Sequence, residues 1–184
     1  MEHLGTILER EGDALESLLF KLVETSLLLE ADEARFLPRA TREVERARAR
    51  AREIDLLRAA TAARRSGGGT LREIAAEAPG PWPAILRDHH EVLSRLVSEI
   101  EVVAHRNAHA ARVGLEALSH QPIAAPVPAG VGAGTQLLGE RQASPVGRPV
   151  RNAELDRLAR GAALDAVLGT AARLRMPDLI EFLR

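Results

Sequence analysis

The chain has 184 residues, a length that suits one domain or one domain with an appendage. Its formal net charge of −1 gives no excess of positive charge to attract phosphates, so general nucleic-acid binding is not expected. The absence of cysteine excludes disulfides, thiol chemistry and cysteine-ligated metals. Hydrophobic residues make up 46% of the chain and aromatic residues only 2%, so a core must be built mainly from Leu, Ala, Val and Ile. This composition favours helices packed side by side over sheets.

The first predicted helix covers residues 4 to about 33, where apolar residues recur every three or four positions. This spacing is typical of an amphipathic helix, and additional leucines make its apolar face broad. Glu11 and Thr25 interrupt the apolar seam. The start of the chain lacks the basic residues and apolar run of a signal peptide, and no apolar stretch is long enough for a bilayer. We therefore expect a cytoplasmic protein without membrane insertion.

A second helix is predicted from Pro38 to about residue 65, because proline suits the first turn of a helix. Its apolar stripe consists of Ala40, Val44, Ala47, Ala51, Ile54 and Leu57. The arginine-rich run at 46–52 is interpreted as a solvated helix face, since acidic residues flank it. A glycine-rich turn at 66–69 follows, and it is no phosphate loop because no Gly-Lys-Ser/Thr comes after it.

Thr70 and Glu73 have the spacing of a capping box, which predicts a short helix at 71–77. A third long helix begins at Trp82 and ends near Ser119, again with a wide apolar stripe. Asn107 lies close to this stripe. It either fixes the register between helices or lies at the margin of the stripe, and the spacing favours the margin.

Prolines and glycines replace the helical pattern between His120 and Asn152, which predicts a disordered linker. Asn152 is a good N-cap for a further helix, which Pro177 then breaks. We therefore predict a helical domain at 1–119, a flexible linker at 120–152 and a helical segment at 153–184. The apolar end of this segment needs a surface that covers it.

The apolar faces of the first and third long helices are wider than a three-helix seam needs, and the excess predicts a groove for a fourth amphipathic helix. The predicted fold is an all-α antiparallel bundle of three long helices and one short helix, with the C-terminal helix packed in that groove. The residues expected to form the groove are Leu15, Leu18, Leu22, Leu93, Leu96, Ile100 and Val103. The anchors expected on the last segment are Leu155, Leu158, Leu168, Leu174, Leu179 and Phe182.

Few residues could support catalysis or metal binding. Glu101, His105 and His109 recur at intervals of four on one helix, but they lack the glutamate of the metalloprotease motif, and a polar helix face is the better interpretation. His89 and His90 are neighbours on a helix and point about 100° apart, so they do not converge. We find no nucleophile with a base and no carboxylate pair. We therefore expect a binding protein rather than an enzyme, without catalytic residues, bound metal or cofactor.

Several short segments occur in an order that identifies a family resemblance. They are 1–4 (MEHL), 7–11 (ILERE), 18–22 (LLFKL), 40–45 (ATREVE), 71–75 (LREIA) with Pro81 and Trp82, and 136–142 (QLLGERQ). Over residues 1 to about 142 the chain resembles actinobacterial FlgN-type flagellar export chaperones. The resemblance implies a cytoplasmic chaperone of the flagellar type III export system. Its partners would be export-apparatus components and the hook–filament junction (hook-associated) proteins, whose C-terminal helices it binds to prevent premature assembly.

The last part of the chain departs from that family. Residues 162–173 (AALDAVLGTAAR) and 176–184 (MPDLIEFLR) resemble the end of a junction protein of the flagellin-like class. One explanation is an engineered fusion of a chaperone to the terminal helix of its client. The other is a natural chaperone whose own client-like helix occupies its groove, and the resemblance favours the fusion. The alternative function is structural: a coiled-coil or helical-bundle oligomer in which the wide apolar faces pack against another copy.

Overall fold

The structure is a computed structural model of the chain, and it describes residues 1–66, 69–120 and 151–184. Its helices are α1 (Glu2–Glu30), α2 (Leu37–Ser66), α3 (Leu71–Glu77), α4 (Trp82–His120), α5 (Arg151–Ala172) and α6 (Pro177–Phe182), with a 3-10 turn at Ala34–Phe36. No strand occurs in these ranges, so the predicted all-α class is confirmed. None of the helices described is both long and apolar enough to cross a bilayer.

The helix ends follow from local residue chemistry. After α1 the chain turns at Asp32, whose φ of 57° lies in the left-handed region that aspartate tolerates. Pro38 lies in the first turn of α2, where its missing amide proton costs no hydrogen bond. The capping box of α3 is confirmed, since the Thr70 hydroxyl accepts from the Glu73 amide and the Glu73 carboxylate accepts from the Thr70 amide. α5 already includes Asn152, so this residue lies within the helix rather than at its N-cap.

α1 and α2 run in opposite directions. Lys21, late in α1, lies 2.9 Å from the carboxylate of Glu43, early in α2. Glu11, early in α1, lies 3.0 Å from Arg58, late in α2. The two ion pairs therefore connect the helices in antiparallel register.

α4 runs parallel to α1. A Cβ added at Gly5 would lie 3.0 Å from the ring of Trp82, so the starts of the two helices are in close contact. Further along, the Asn107 amide donates to the Leu22 carbonyl at 2.9 Å and accepts from the Ser26 hydroxyl at 2.5 Å. Asn107 is 2% exposed, so its placement at the margin of the stripe is wrong. A buried amide whose partners all come from α1 fixes the register of the two helices.

Two clusters of buried side chains form the core. The larger cluster combines residues from α1, α2, α3 and α4 with Leu174, Leu179, Phe182 and Leu183. The smaller cluster contains Leu37, Ala111, Ala163, Leu164 and Val167.

The predicted stripe of α2 is wrong at one position. Leu57 is 46% exposed, whereas the next residue, Arg58, is 2% exposed and takes the inward position. Steps that alternate between three and four residues, from Val44 through Ala47, Ala51 and Ile54, lead to residue 58 rather than 57, so helical geometry turns the arginine inward. Of the predicted linker at 120–152, residues 121–150 lie outside the described residues, whereas His120 belongs to α4 and residues 151–152 belong to α5. The middle of the glycine-rich turn at 66–69 also lies outside the described residues.

Candidate partner-binding surface

A buried ion pair joins α1 to α2. Glu11 and Arg58 are 1% and 2% exposed, and Arg58 Nε lies 3.0 Å from Glu11 Oε2 and 3.1 Å from Glu11 Oε1. Asp55, one turn earlier on α2, accepts a hydrogen bond from the same guanidinium. Taking such a pair out of water costs free energy that its mutual attraction only partly returns. The contacts with Glu11 and Asp55 hold the Arg58 guanidinium from two sides in the core.

Burial changes the acidity of Glu11. Desolvation raises its pKa from 4.5 to about 7, and the attraction of Arg58 opposes that rise without cancelling it. Oε1 accepts the hydrogen bond from Arg58, whereas Oε2 has the ion contact but no hydrogen-bond donor in the described part of the chain. The charge of this site therefore changes close to neutral pH.

α6 lies over the ion pair and bridges α2 to α4. The centroid of the Phe182 ring is 4.0 Å from Arg58 Cζ, which is within the range of a cation–π interaction. On the α4 side, His90 Nε2 lies 2.7 Å from the carbonyl oxygen of Leu183, to which the Nε2–H tautomer donates a hydrogen bond. The last helix thus contacts one charged and one polar side chain on two different helices.

A cavity of about 290 Å³ lies beside the ion pair, between α1, α2 and the residues that join α5 to α6. Glu11 borders it together with apolar side chains that include Leu15 and Leu179. The lining also contains the arginines Arg48, Arg52, Arg173 and Arg175. Because residues 173–179 form one wall, the cavity has this shape only while this segment is docked.

α5 packs against α4 and α2 through small and branched side chains. Its buried residues in the smaller cluster are Ala163, Leu164 and Val167. A Cβ at Gly114 of α4 would lie 3.0 Å from Leu164 Cδ1, so the absence of a side chain there permits the close approach of α5.

Charged groups surround the apolar contacts of α5. Arg160 pairs with Asp32 at the end of α1, and Arg173 pairs with Glu45 of α2 at 2.8 Å. Arg157 donates to the carbonyl of Leu118 in the last turn of α4. These pairs are largely solvent-exposed, so they orient α5 while contributing little free energy.

The predicted anchors near the end of the segment are buried. Leu174, Leu179 and Phe182 are 4%, 2% and 7% exposed, and all three belong to the larger cluster. Leu168 is half-buried against the smaller cluster.

The predicted anchors at the start of the segment are wrong. Leu155 and Leu158 are 60% and 64% exposed. Arg157 already lies beside the last turn of α4, so the first turns of α5 extend past that helix, where the described residues offer no apolar surface to cover them. The inward face of α5 begins instead at Ala163.

The residues predicted to form the groove lie in the interior of the bundle. Leu15, Leu18, Leu22, Leu93, Leu96 and Ile100 are buried, and Val103 is half-buried against them. They share the larger cluster with Leu174, Leu179 and Phe182.

Sequence reasoning missed two residues of this surface, Arg58 and His90. The signal for Arg58 was present, because Glu11 and Arg58 both continue the apolar steps of their helices. A carboxylate and a guanidinium at seam positions of antiparallel helices predict a buried pair. His90 had no comparable signal, since its partner is a backbone carbonyl distant in sequence.

The described residues contain no group of three or more His, Asp or Glu side chains placed to hold a metal ion. Glu101, His105 and His109 are exposed along α4. Residues eight apart on a helix are separated by a rise of about 12 Å, so the side chains of Glu101 and His109 cannot bind the same metal ion.

No protein-family model, curated protein or solved structure matches this chain. Its function therefore has to be inferred from the surface itself.

Proposed function

We propose that this chain is a chaperone that binds an amphipathic helix of another polypeptide, and that segment 151–184 occupies the client-binding surface in the state described. The observation that carries the proposal is the burial of Leu174, Leu179 and Phe182 among leucines of the long helices. α1 contacts α2 and α4, and α5 also contacts α4 and α2, so α5 takes the fourth place in a ring of helices. A helix laid into a groove between other helices is a recurring mode of peptide recognition.

The proposed clients are the hook–filament junction (hook-associated) proteins, as the resemblance to FlgN-type chaperones implies. In this proposal residues 1–119 form the chaperone domain, in the cytoplasm, and hand the client to export-apparatus components. The proposed activity is binding without catalysis. Covering the apolar face of a client helix prevents that face from joining a filament too early.

Affinity on this surface would come mainly from buried apolar side chains. The exposed pairs around α5 would fix the direction of the bound helix and contribute little to its affinity. A segment of the same chain competes with any client in solution, because its effective concentration does not fall on dilution. The unmodified chain should therefore bind a client more weakly than a variant whose segment is released.

The experiment is to release the segment with one charge and to measure client binding. Leu179→Asp places a carboxylate at a position that is 2% exposed, and an unpaired buried charge costs several kcal/mol. Leu158→Asp introduces the same side chain into the same segment at a position that is 64% exposed, so it is the matched control. Calorimetric titration of each variant with purified junction proteins measures the affinity.

We expect Leu179→Asp to bind a junction protein more tightly than Leu158→Asp and the unmodified chain, which should behave alike. Absence of binding by all three proteins would contradict the proposed function. Cooperative unfolding of Leu179→Asp, seen by circular dichroism, would show that the segment is an integral part of the core and would refute its role as a replaceable occupant.

The structural alternative is supported by apolar side chains on the outer face of α1. Phe20 and Leu27 are each 58% exposed, and Val23 between them is 40% exposed. Exposed apolar residues on one helical face favour association between copies. Light scattering of Phe20→Ser/Leu27→Ser beside the unmodified chain tests this function, which predicts an oligomer that the double substitution dissociates.

A further inference from the structure

We propose that Arg58 is a specificity-determining residue of the client-binding surface, and that it selects a helical segment carrying an aromatic side chain. In the state described this side chain is Phe182. The inference rests on the proposed function, because it concerns which polypeptide that surface accepts.

The geometry leaves one face of the guanidinium for a ring. Arg58 Nε donates to Glu11 and its Nη2 donates to Asp55, and both contacts use N–H bonds in the guanidinium plane. Neither hydrogen bond uses the face of the group, and Arg58 Cζ lies over the Phe182 ring, 4.0 Å from its centroid. An aromatic ring offers the negative face that a buried cation needs, whereas an aliphatic side chain offers only contact area.

The other buried contacts of residues 174–183 discriminate little between side chains. His90 contacts the Leu183 carbonyl, a backbone group that every residue carries. Leu174 and Leu179 fill apolar space that other aliphatic residues could also fill. Glu45 and Asp32 favour arginine in the segment, but their pairs are largely exposed and contribute little free energy. Arg58 is a buried charged residue whose preference depends on the chemical nature of the incoming side chain.

The groups that hold Arg58 do not belong to the docked segment, which makes the cation preorganised for the ring. Arg58 is held by α2 itself and by Glu11 of α1, neither of which belongs to the docked segment. A preorganised cation loses little conformational entropy when the ring docks, so the favourable free energy of the Arg58–ring contact contributes almost fully to the affinity for an aromatic segment.

A double-mutant cycle in the full chain tests the inference. Phe182→Leu and Phe182→Tyr are made in the unmodified chain and in a Glu11→Leu/Arg58→Met background, in which apolar residues replace the ion pair. Amide hydrogen exchange at residues 179–183 measures how often the segment opens. In the unmodified chain, Phe182→Leu should increase opening roughly 30-fold, the value for a desolvated cation–π contact, while Phe182→Tyr should change it less than about threefold. In the apolar background, the factor by which Phe182→Leu increases opening should be smaller by roughly tenfold or more.

An equal effect of Phe182→Leu in both backgrounds would overturn the inference, because position 182 would then contribute only its apolar area. Pentafluorophenylalanine incorporated at position 182 is a second measurement that leaves the ion pair untouched. It keeps the ring shape and reverses the charge distribution of the ring face. Opening should again increase by about tenfold or more, and unchanged opening would overturn the inference even if the apolar background failed to fold.

The proposed function is tested by a different measurement, the binding of junction proteins to the Leu179→Asp variant. If the cycle shows coupling while no junction protein binds the Leu179→Asp variant, aromatic recognition stands and the proposed clients are wrong. If a junction protein binds and the cycle shows no coupling, the chaperone function stands and the role of Arg58 is wrong.

Discussion

Replacement of Glu11 by glutamine should stabilise the protein at neutral pH, although it removes one partner of a buried ion pair. Two effects oppose each other. Loss of a partner commonly costs 3–5 kcal/mol because it leaves an uncompensated charge. Here Arg58 keeps the Asp55 carboxylate and the Phe182 ring, so its charge remains compensated. Desolvation of the Glu11 carboxylate is relieved at the same time.

The magnitude follows from the pKa of Glu11, which burial raises from 4.5 to about 7. A carboxyl whose pKa is higher in the folded state gives its full contribution to stability below pH 4.5 and loses it as the pH rises through about 7. At about 1.4 kcal/mol per pKa unit, the loss in the unmodified chain is about 3 kcal/mol. Glutamine resembles the protonated carboxyl and does not titrate, so the variant does not lose this contribution.

Urea denaturation followed by circular dichroism between pH 4.5 and pH 7.5 provides the measurement. The two proteins should have similar free energies of unfolding near pH 4.5, and the variant should be more stable by about 3 kcal/mol at pH 7.5. Other titrating groups contribute equally to both proteins and cancel in the difference. Glu9→Gln is the matched control on the exposed face of α1 and should change stability by less than about 0.5 kcal/mol. Parallel stability curves, or a less stable Glu11→Gln variant at pH 7.5, would show that attraction to Arg58 outweighs desolvation.

Three further substitutions, two of them with a matched control, test how the helices pack. Gly114→Ala places a Cβ 3.0 Å from Leu164 and should speed amide hydrogen exchange in α5. Gly161→Ala is the control, because nothing lies within 4 Å of its added Cβ, and it should slow exchange in α5 since alanine favours a helix over glycine by about 1 kcal/mol. Equal effects of the two substitutions would show that α5 does not pack tightly against Gly114. Asn107→Leu removes the buried amide between α1 and α4 and should cost about 1–3 kcal/mol in thermal unfolding, and a neutral result would contradict its role in register. Leu164→Ala should destabilise the docked α5 by about 2–5 kcal/mol, whereas Leu158→Ala should change its hydrogen exchange little; the reverse order would mean that α5 is rotated.

The positions of the helices could be predicted from the sequence because each has a strong local signal. α3 was predicted at 71–77 and occurs there, since Thr70 and Glu73 form a capping box that depends on residues three apart. α6 begins at Pro177, where the sequence predicted a break. Signals of this kind are contained within one or two helical turns and do not depend on the rest of the fold.

Long-range contacts were harder to predict. The failure at Leu155 and Leu158 has a simple cause: apolar spacing shows which residues share a face but not where the partner helices end. Buried Asn107 depends on hydrogen bonds to two groups of α1, the Ser26 hydroxyl and the Leu22 carbonyl, which are 81 and 85 positions away in the sequence. Arg58 was the exception, since the spacing of the apolar residues of α2 indicates that position 58 faces inward. The prediction chose Leu57 instead because an apolar residue was expected in the stripe.

In the proposed function a client replaces a segment with several buried apolar residues, and the ion pair beneath Phe182 affects that exchange. Phe182 covers Arg58 and helps to exclude water from the pair, so docking of α6 adds to the desolvation of Glu11. That cost opposes the gain from burying Leu174, Leu179 and Phe182. An apolar pair at positions 11 and 58 would remove this cost and, with it, the cation–π contact to Phe182. The proposed function requires that these opposing contributions leave free energy for a client that fits the surface better than the chain's own segment does.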